Sequence, residues 1–283
     1  MTGSSSKEGQ SAFKFYGYIG LLILFVAEIL LFLRVYWVGV FFTPIAWTGY
    51  ILFIDSLIFK LRGSSLISTR TRQFLAMLPL SVGLWLIFEF YNIFLDNWRY
   101  VSLPDHAWIR LIGYTWSFAT IWPAILLTKE LVMTLHIFEK TTLKPLKVSK
   151  NLQYCSIVLG VIFLSIPIVF PSRYLAVLVW TGFIFLLDPI NHLNRERSIL
   201  SDIESGTPNV LFSLFLSGLW CGILWEFWNF WAIGKWIYTV PILENIKIFE
   251  MPVVGYFGFL VLAVEVYVMY NFARLVGKGL LKI

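Results

Sequence analysis

Two short stretches of this chain are nearly the same, and they decide the fold. Residues 47–55 read WTGYILFID and residues 180–188 read WTGFIFLLD, with seven of the nine positions identical or closely similar. Both stretches lie in long apolar segments, and each ends in an aspartate. Ten residues after each aspartate comes a serine followed by an aliphatic residue, at Ser65 and Ser198. Self-similarity at a fixed separation indicates a duplicated chain.

The similarity continues along the chain. Residues 88–94 read FEFYNIF and residues 225–231 read WEFWNFW, so both contain Glu-Phe, an aromatic residue and Asn. A W-x-Y motif follows each of them, and a further glutamate comes later. The matching residues are Trp98 and Trp236, Tyr100 and Tyr238, and Glu130 and Glu265. Since polar positions match, we interpret the chain as two copies of one unit rather than as a coincidence among Trp-rich helices.

The composition places the chain in a membrane. Of its 283 residues, 59% are hydrophobic and 13% are charged, whereas a soluble domain is about half apolar and about one-quarter charged. This excludes a soluble globular enzyme, a disordered protein and a disulfide scaffold. A transmembrane helix needs about 20 predominantly apolar residues. Eight such segments are predicted, at 15–37, 41–60, 74–95, 108–135, 152–171, 174–190, 209–232 and 248–273.

The predicted fold is therefore an all-α, polytopic integral membrane bundle of eight transmembrane helices. Because each copy contains an even number of helices, the two tandem four-helix repeats have the same orientation and are related by an axis along the membrane normal. The predicted organisation is a disordered cytoplasmic N-terminus at 1–14, a first membrane repeat at 15–138, a cytoplasmic linker at 139–151, a second membrane repeat at 152–275 and a cytoplasmic tail at 276–283.

The basic residues predict the orientation of this bundle. Cytoplasmic loops of membrane proteins carry an excess of Lys and Arg. With both termini in the cytoplasm, only six of the 22 basic residues lie on the outer side, namely Arg34, Arg99, Arg110, Arg173, Lys235 and Lys247. We therefore expect a plasma or inner membrane protein with both termini inside. The net charge of +6 then reflects loops near lipid headgroups, not nucleic-acid binding.

Two glutamates within predicted spans are the leading candidates for chemistry. An ionisable residue at bilayer depth costs roughly 2.5–3.5 kcal/mol, so it is paired, hydrated, neutralised or functional. Glu89 and Asn92 share a helix face because they are three residues apart, and Glu226 and Asn229 repeat the arrangement. We expect each Asn amide to donate to the carboxylate, and both faces to meet at one central cavity. The pattern fits an acid/base site or interhelical hydrogen bonds that hold the bundle together.

Two aspartates and a set of aromatic residues complete the candidate site. Asp55 and Asp188 lie near the inner ends of the second and sixth predicted spans. Each fits a cap for the segment that follows, or a polar site or ion path on the cytoplasmic side. The candidates for lining a substrate pocket are Trp85, Trp98, Trp225, Trp228, Trp236 and Tyr238. Aromatic ring faces stabilise a cation, although we expect most aromatics of this chain to face lipid and the outer interface.

The sequence contains no pattern for a cofactor, a metal or a nucleotide. Its three histidines, His106, His136 and His192, lie at span ends or in loops. This placement excludes a haem pair within the membrane and a histidine-box diiron site. Walker, Gly-rich dinucleotide, CxxC and G-x-S-x-G motifs are absent. We therefore predict no cofactor and no metal.

The second copy has an acidic span, then the exit motif G-K-W-I-Y, then a proline that opens the next span in M-P-V-V-G-Y-F. In this order, over about 45 residues, it resembles the membrane lycopene cyclase domain and related carotenoid-modifying membrane proteins. The resemblance implies acid-initiated, non-redox chemistry on a polyisoprenoid. That family has paired glutamates just after the proline and fewer spans, whereas this chain has Val253 and Val254 there and Glu250 before the proline. No site residue is carried over.

These observations predict a multi-pass membrane enzyme, a lyase, cyclase or hydratase, that acts on a membrane lipid, an isoprenoid or another hydrophobic small molecule. Glu89 or Glu226 is the expected general acid. One alternative is a secondary transporter or permease with a central site at the interface of the two repeats. Another is a non-catalytic membrane assembly factor. A homo-oligomer is compatible with each of them.

Overall fold

Long apolar helices dominate the structure, because a backbone in lipid must satisfy its hydrogen bonds within each helix. The computed structural model describes residues 11–243 and 245–281. Within them, eight helices are long and apolar enough to cross a membrane. They are α1 (Phe15–Phe32), α3 (Phe42–Arg62), α5 (Thr71–Leu95), α6 (Ala107–Thr134), α7 (Lys150–Val169), α8 (Ala176–Leu193), α10 (Asn209–Trp231) and α11 (Tyr256–Leu281). The predicted all-α class and its eight apolar spans are thus confirmed.

Short elements connect these helices. Three short helices are α2 (Tyr36–Val40), α4 (Leu66–Thr69) and α9 (Ile199–Ser205). Four short strands are β1 (Trp98–Val101), β2 (Lys235–Tyr238), β3 (Lys247–Ile248) and β4 (Met251–Pro252). We call the end of the bundle that carries β1 and β2 the strand end, and the end that carries α4 and α9 the opposite end.

The long helices pack in the same order in both halves of the chain. In the first half, α1 packs on α3, α3 packs on α6, and α6 also packs on α5. In the second half, α7 packs on α8, α8 packs on α11, and α11 also packs on α10. Contacts between α6 and α10 join the two halves.

A strand pair closes the strand end. After α5 and after α10, the chain leaves its helix and becomes extended, and the two extended segments pair as antiparallel strands β1 and β2. Trp98 lies opposite Tyr238, and Tyr100 lies opposite Trp236. The two W-x-Y motifs are therefore brought together directly above the space between the helices.

Two predicted spans differ from the helices. The span predicted at 15–37 is wrong beyond Phe32, because the chain turns at Arg34, which has a φ of 59°. Hydropathy does not reveal this turn, since the residues on both sides of Arg34 are apolar. The span predicted at 248–273 begins too early, because β3 and β4 precede it and Pro252 holds extended backbone with a ψ of 138°. Helix α11 starts at Tyr256 and runs to Leu281.

The predicted terminal segments lie partly outside the described residues. Of the predicted disordered segment 1–14, only residues 11–14 are described, and there the Lys14 N–H donates to Ser56 Oγ at 2.9 Å. The predicted tail 276–283 belongs to α11 as far as Leu281, and residues 282–283 lie outside the described part.

Candidate functional site

A cavity of about 480 Å³ lies at the strand end, between the two halves of the chain. Both halves contribute helices to its wall, and strands β1 and β2 contribute side chains to its mouth. The volume lies within the usual range of small-molecule sites, about 300–1,000 Å³. Most of the wall is aromatic or aliphatic, so the cavity suits a hydrophobic molecule.

The cavity brings together five of the six aromatic residues that the sequence singles out. Trp85, Trp98, Trp225, Trp236 and Tyr238 all line it. Trp228 lies elsewhere: its ring packs edge-on against Trp47 at 5.0 Å between centroids, and its Nε1 donates to Glu28 Oε1 at 3.1 Å. Trp228 is directed toward α1 and α3, where it meets Glu28 and Trp47.

Glu89 lies behind the wall in the first half of the chain. Its Oε1 accepts a hydrogen bond from the Tyr100 hydroxyl at 2.6 Å. It also accepts from the indole N–H groups of Trp85 at 3.1 Å and Trp98 at 3.2 Å. All three donors line the cavity. One carboxylate oxygen is therefore connected to the cavity by three aromatic donors.

Glu226 has a matching place in the second half. Its side chain is fully buried, and its Oε1 accepts from the Tyr238 hydroxyl at 2.8 Å. The Trp236 indole N–H donates to the same hydroxyl oxygen at 2.8 Å. Among the described residues, Glu226 Oε2 has no hydrogen-bond partner. Trp236, Tyr238 and Glu226 thus form a short hydrogen-bonded chain that leads from the cavity to a buried carboxyl group.

The asparagines have a different partner from the predicted one. The Asn92 amide donates to the Trp98 carbonyl at 2.9 Å, and its oxygen accepts from the Trp98 N–H at 3.2 Å. Asn229 makes the same two bonds to the Trp236 backbone, at 2.8 Å and 3.0 Å. The prediction that these amides orient the carboxylates is therefore wrong. They fix the extended backbone from which the tyrosines reach the glutamates.

The two tyrosines keep their protons. Burial raises the pKa of Tyr100 and of Tyr238 well above the ordinary value, and the carboxyl group that each faces adds to the shift. A lone phenolate is therefore costly at either position. A proton can pass through such a hydroxyl when the phenol accepts one proton as it gives up another to the carboxylate behind it.

Asp55 and Asp188 lie at the opposite end, away from the cavity. Asp55 accepts from the Ile67 N–H at 2.8 Å and from the Ser65 hydroxyl at 2.7 Å. Asp188 accepts from the backbone N–H groups of Ile199 at 2.8 Å and of Leu200 at 3.0 Å. Each aspartate thus caps the short helix that follows its span, which is the first of the two interpretations considered for it.

Glu265, the later of the two repeated glutamates, is buried within α11. It is fully buried, and neither carboxyl oxygen has a hydrogen-bond partner among the described residues. Val261 lines the cavity one helical turn earlier. Its sequence counterpart, Glu130, is bound instead by Arg62 at 3.2 Å and Arg70 at 2.5 Å. The two matched glutamates therefore have different environments.

Three basic side chains of the wall were missed as site residues from sequence. Arg110, Arg173 and Lys235 line the cavity, and none of its described lining residues is acidic. In the sequence, these three residues contribute only to the count of Lys and Arg that predicts the orientation of the bundle. The spacing of Arg110, Tyr114 and Phe118 on one helix face, four residues apart, is the signal that could have identified Arg110.

Over the part of the chain that the structure describes, no group of three or more His, Cys, Asp or Glu side chains could hold a metal ion. Comparisons of the chain with family models, with curated proteins and with solved structures find no match.

Proposed function

We propose that this protein is an integral membrane enzyme that carries out acid/base, non-redox chemistry on a hydrophobic lipid or isoprenoid. One observation carries the proposal: two tyrosines line the same apolar cavity, and the hydroxyl of each is bonded to a glutamate behind the wall. Enzymes use such positioned groups to move protons within a water-poor site. A lyase, a cyclase and a hydratase all need this proton transfer and no redox partner.

The hydrogen bonds suggest different roles for the two pairs. Oε2 of Glu226 faces no donor in the described residues, so it has room to carry a proton. The Tyr238 hydroxyl donates to Oε1 of Glu226, so protonation of a substrate carbon requires this hydroxyl to turn toward the substrate. The protonated Glu226 carboxyl group turns to donate its own proton to the phenol oxygen as Tyr238 gives up its proton, and Glu226 is left as the carboxylate. Oε1 of Glu89 already accepts three hydrogen bonds, so it suits the base. The Tyr100 oxygen takes a substrate proton while its own proton passes to Glu89.

The aromatic wall supports the same chemistry. Adding a proton to an alkene leaves a positive charge on the substrate, and loss of a proton from the adjacent carbon removes it. Ring faces attract a cation that lies within about 6 Å of their centroid. Trp85 and Trp225 both line the cavity, and their rings stack with centroids 6.5 Å apart. They are placed to face a cationic intermediate between the two halves.

The proposal is tested by comparing lipids with and without the protein. Lipid extract is incubated with the wild type, with Glu226→Gln, with Tyr238→Phe, and with the control Tyr36→Phe, which alters an exposed residue outside the cavity. We expect one lipid to be consumed by the wild type and the control, and the rate to fall at least about a hundredfold in the other two. Identical profiles with and without the wild type would contradict an enzymatic role.

The two halves are, in this proposal, tandem repeats of the same orientation with both termini in the cytoplasm. Support comes from the matched packing order, the matched bonds of Asn92 and Asn229, and the antiparallel pairing of the two W-x-Y motifs. The excess of basic residues at the opposite end supports its cytoplasmic location. The strand end, with the cavity mouth, then faces outward.

Glu265 supports a second candidate, a transporter. Its unpartnered carboxyl group lies beyond the cavity wall, toward the opposite end. Buried acids between a central site and the far side of a bundle are typical of proton-coupled carriers. A cysteine at Val261, in a chain whose exposed Cys155 is replaced by serine, reports access. Modification by an impermeant thiol reagent from each face supports transport, and modification from one face only argues against it.

A further inference from the structure

Over the described part of the cavity wall, the charged residues are all cations, and two of these three already have an acidic partner. Arg173 forms an ion pair with Asp96, and Lys235 Nζ lies 2.5 Å from Glu250 Oε1. Arg110 differs from both. It donates only from Nη1, to the carbonyl oxygens of Pro104 and Asp105 at 3.0 Å each. Among the described residues, no carboxylate forms a salt bridge with it.

The remaining donors of Arg110 suit an anion. A guanidinium group has five N–H donors arranged to hold two oxygens of a carboxylate or phosphate side by side. Arg110 lies in the first turn or so of the long helix α6, where the helix dipole also favours negative charge. Among the lining residues that the structure describes none is acidic, and an anionic group would bind the donors of Arg110 that have no partner there.

The face of α6 continues from this cation into the apolar part of the cavity. Tyr114, Ser117, Phe118 and Ile121 follow Arg110 at helical spacing, and all of them line the cavity. From Arg110 to Ile121 the helix rises about 16 Å, at about 1.5 Å per residue. The face therefore has a charged group at one end and mainly aromatic or aliphatic side chains along the rest, which matches a molecule with one anionic head and a hydrocarbon tail.

We propose that the cavity takes an anionic amphiphile, with its carboxylate or phosphate head on Arg110 and its tail along α6 toward Ile121. This inference rests on the proposed function, because it names the class of molecule that occupies the same cavity. The tail passes Tyr114, whose ring lies 5.0 Å from that of Tyr100. The reactive part of the molecule is then the part of the tail next to the Tyr100–Glu89 pair, not the head.

The test uses three probes with the same twelve-carbon chain: dodecanoate, dodecyl phosphate and dodecanol, each with a bromine on the last carbon. Bromine quenches tryptophan fluorescence on contact, and Trp47 and Trp225 line the inner part of the cavity. Each probe is titrated into full-length protein in nanodiscs. The wild type should bind at least one of the two anionic probes about tenfold or more tightly than the alcohol, as expected for a hydrogen bond to a charged group.

The variants separate the head-group site from the rest of the cavity. Arg110→Gln should lose the preference for the anionic probes while binding the alcohol as before, which also shows that the cavity is intact. Arg110→Lys should keep part of the preference. The control Arg34→Gln, at an exposed position of the same end outside the cavity, should bind all three like the wild type. The better of the two anionic probes identifies the head as carboxylate or phosphate.

Three results would overturn the inference. If the alcohol binds as tightly as both anionic probes, or if Arg110→Gln keeps the preference, then Arg110 does not hold an anionic head. Alcohol binding would still leave the proposed hydrophobic site in place. If none of the probes quenches the wild type, the cavity holds no such tail, and the proposed function fails together with the inference.

Discussion

Asn92 and Asn229 show how a polar side chain can stabilise this bundle without contacting the glutamate on its own helix face. Each amide bonds to both the N–H and the carbonyl of a tryptophan in the strand that follows its helix. Backbone polar groups buried without a partner are costly. The two asparagines therefore fix the segments that carry Tyr100 and Tyr238, and they act as positioning residues for the tyrosine–glutamate pairs.

Replacement of Asn229 by alanine should lower stability as well as activity. The change leaves the N–H and carbonyl of the half-buried Trp236 without these partners, which costs roughly 1–3 kcal/mol. Thermal unfolding in detergent measures the loss. The control is Asn194→Ala, at an exposed position where the amide donates to the Ile190 carbonyl, and it should change little. An unchanged unfolding temperature for Asn229→Ala would show that Asn229 does not hold the strand.

At the scale of single residues, the sequence predicts the helix face on which a polar side chain lies better than it predicts the hydrogen-bond partner of that side chain. The three-residue spacing correctly puts each glutamate and asparagine on one helix face. It does not predict that β1 and β2 pair, because their pairing joins residues 98–101 to residues 235–238. The tyrosine–glutamate bonds could not be derived from spacing within one helix either, because each tyrosine lies on the strand that follows the helix of its glutamate.

At the scale of whole helices, close packing of one helix on another depends on small residues. A Cβ atom at Gly218 of α10 would lie 2.2 Å from the Phe259 carbonyl oxygen of α11. Because that neighbour is backbone, the helices would have to separate. The contact holds two helices that both line the cavity, so its loss would also change the cavity wall.

Gly218→Ala should therefore destabilise the protein by roughly 1–3 kcal/mol, as other overpacked sites do. The matched control is Gly83→Ala in α5, where a Cβ atom would meet nothing within 4 Å. It should be neutral or slightly stabilising, because alanine favours helix. Unfolding temperatures of both variants test the difference. Equal stability of Gly218→Ala and the wild type would contradict the close contact.

An ion-pair cluster links the exit of α5 to the entry of α8. Asp96 is bonded to Arg99 and forms an ion pair with Arg173. These bonds lower the pKa of Asp96 to about 2, with the Arg99 hydrogen bond as the largest cause. A lowered carboxyl pKa adds stability above the unfolded-state value of about 3.9, and that stability is lost as the pH falls toward 2.

We expect the unfolding temperature of the wild type to fall between pH 4 and pH 2 by more than that of Asp96→Asn. The effect should be small, because exposed ion pairs contribute at most about 1 kcal/mol. High salt should reduce it further. Parallel pH profiles for the two proteins would show that Asp96 contributes nothing through its charge.

The eight spans were readable from hydropathy because lipid demands long apolar helices. The break after Phe32 and the hairpin before Tyr256 could not be predicted from hydropathy. Both involve apolar residues in turns or strands, where hydropathy carries no signal. The short-range features that decide them are the positive φ of Arg34 and the extended backbone at Pro252.

For the whole molecule, the proposed duplication explains why one cavity has two similar tyrosine–glutamate pairs. A central site between repeats of the same orientation receives equivalent elements from both sides. The pairs are not equivalent in detail, since Glu89 has three donors and Glu226 has one on Oε1. An acid and a base can arise from one ancestral pair in this way.

The proposed orientation predicts which surfaces are accessible from outside. Ser102, just past β1, is exposed at the strand end, and Ser201, within α9, is exposed at the opposite end. With Cys155 replaced by serine, a cysteine at position 102 should react with an impermeant thiol reagent on intact cells. A cysteine at position 201 should react only after the membrane is opened. The reverse labelling pattern would show that the bundle has the opposite orientation in the membrane.

The central claim is that the cavity moves protons to and from carbon, and deuterium uptake tests it most directly. Lipid extract is incubated with the protein in D₂O, returned to H₂O to remove exchangeable deuterium, and examined by mass spectrometry. The account predicts a lipid with carbon-bound deuterium for the wild type and Tyr36→Phe, and a loss of at least about a hundredfold for Glu226→Gln and Tyr238→Phe. If the wild type places no deuterium on any lipid carbon, the proposed chemistry is wrong.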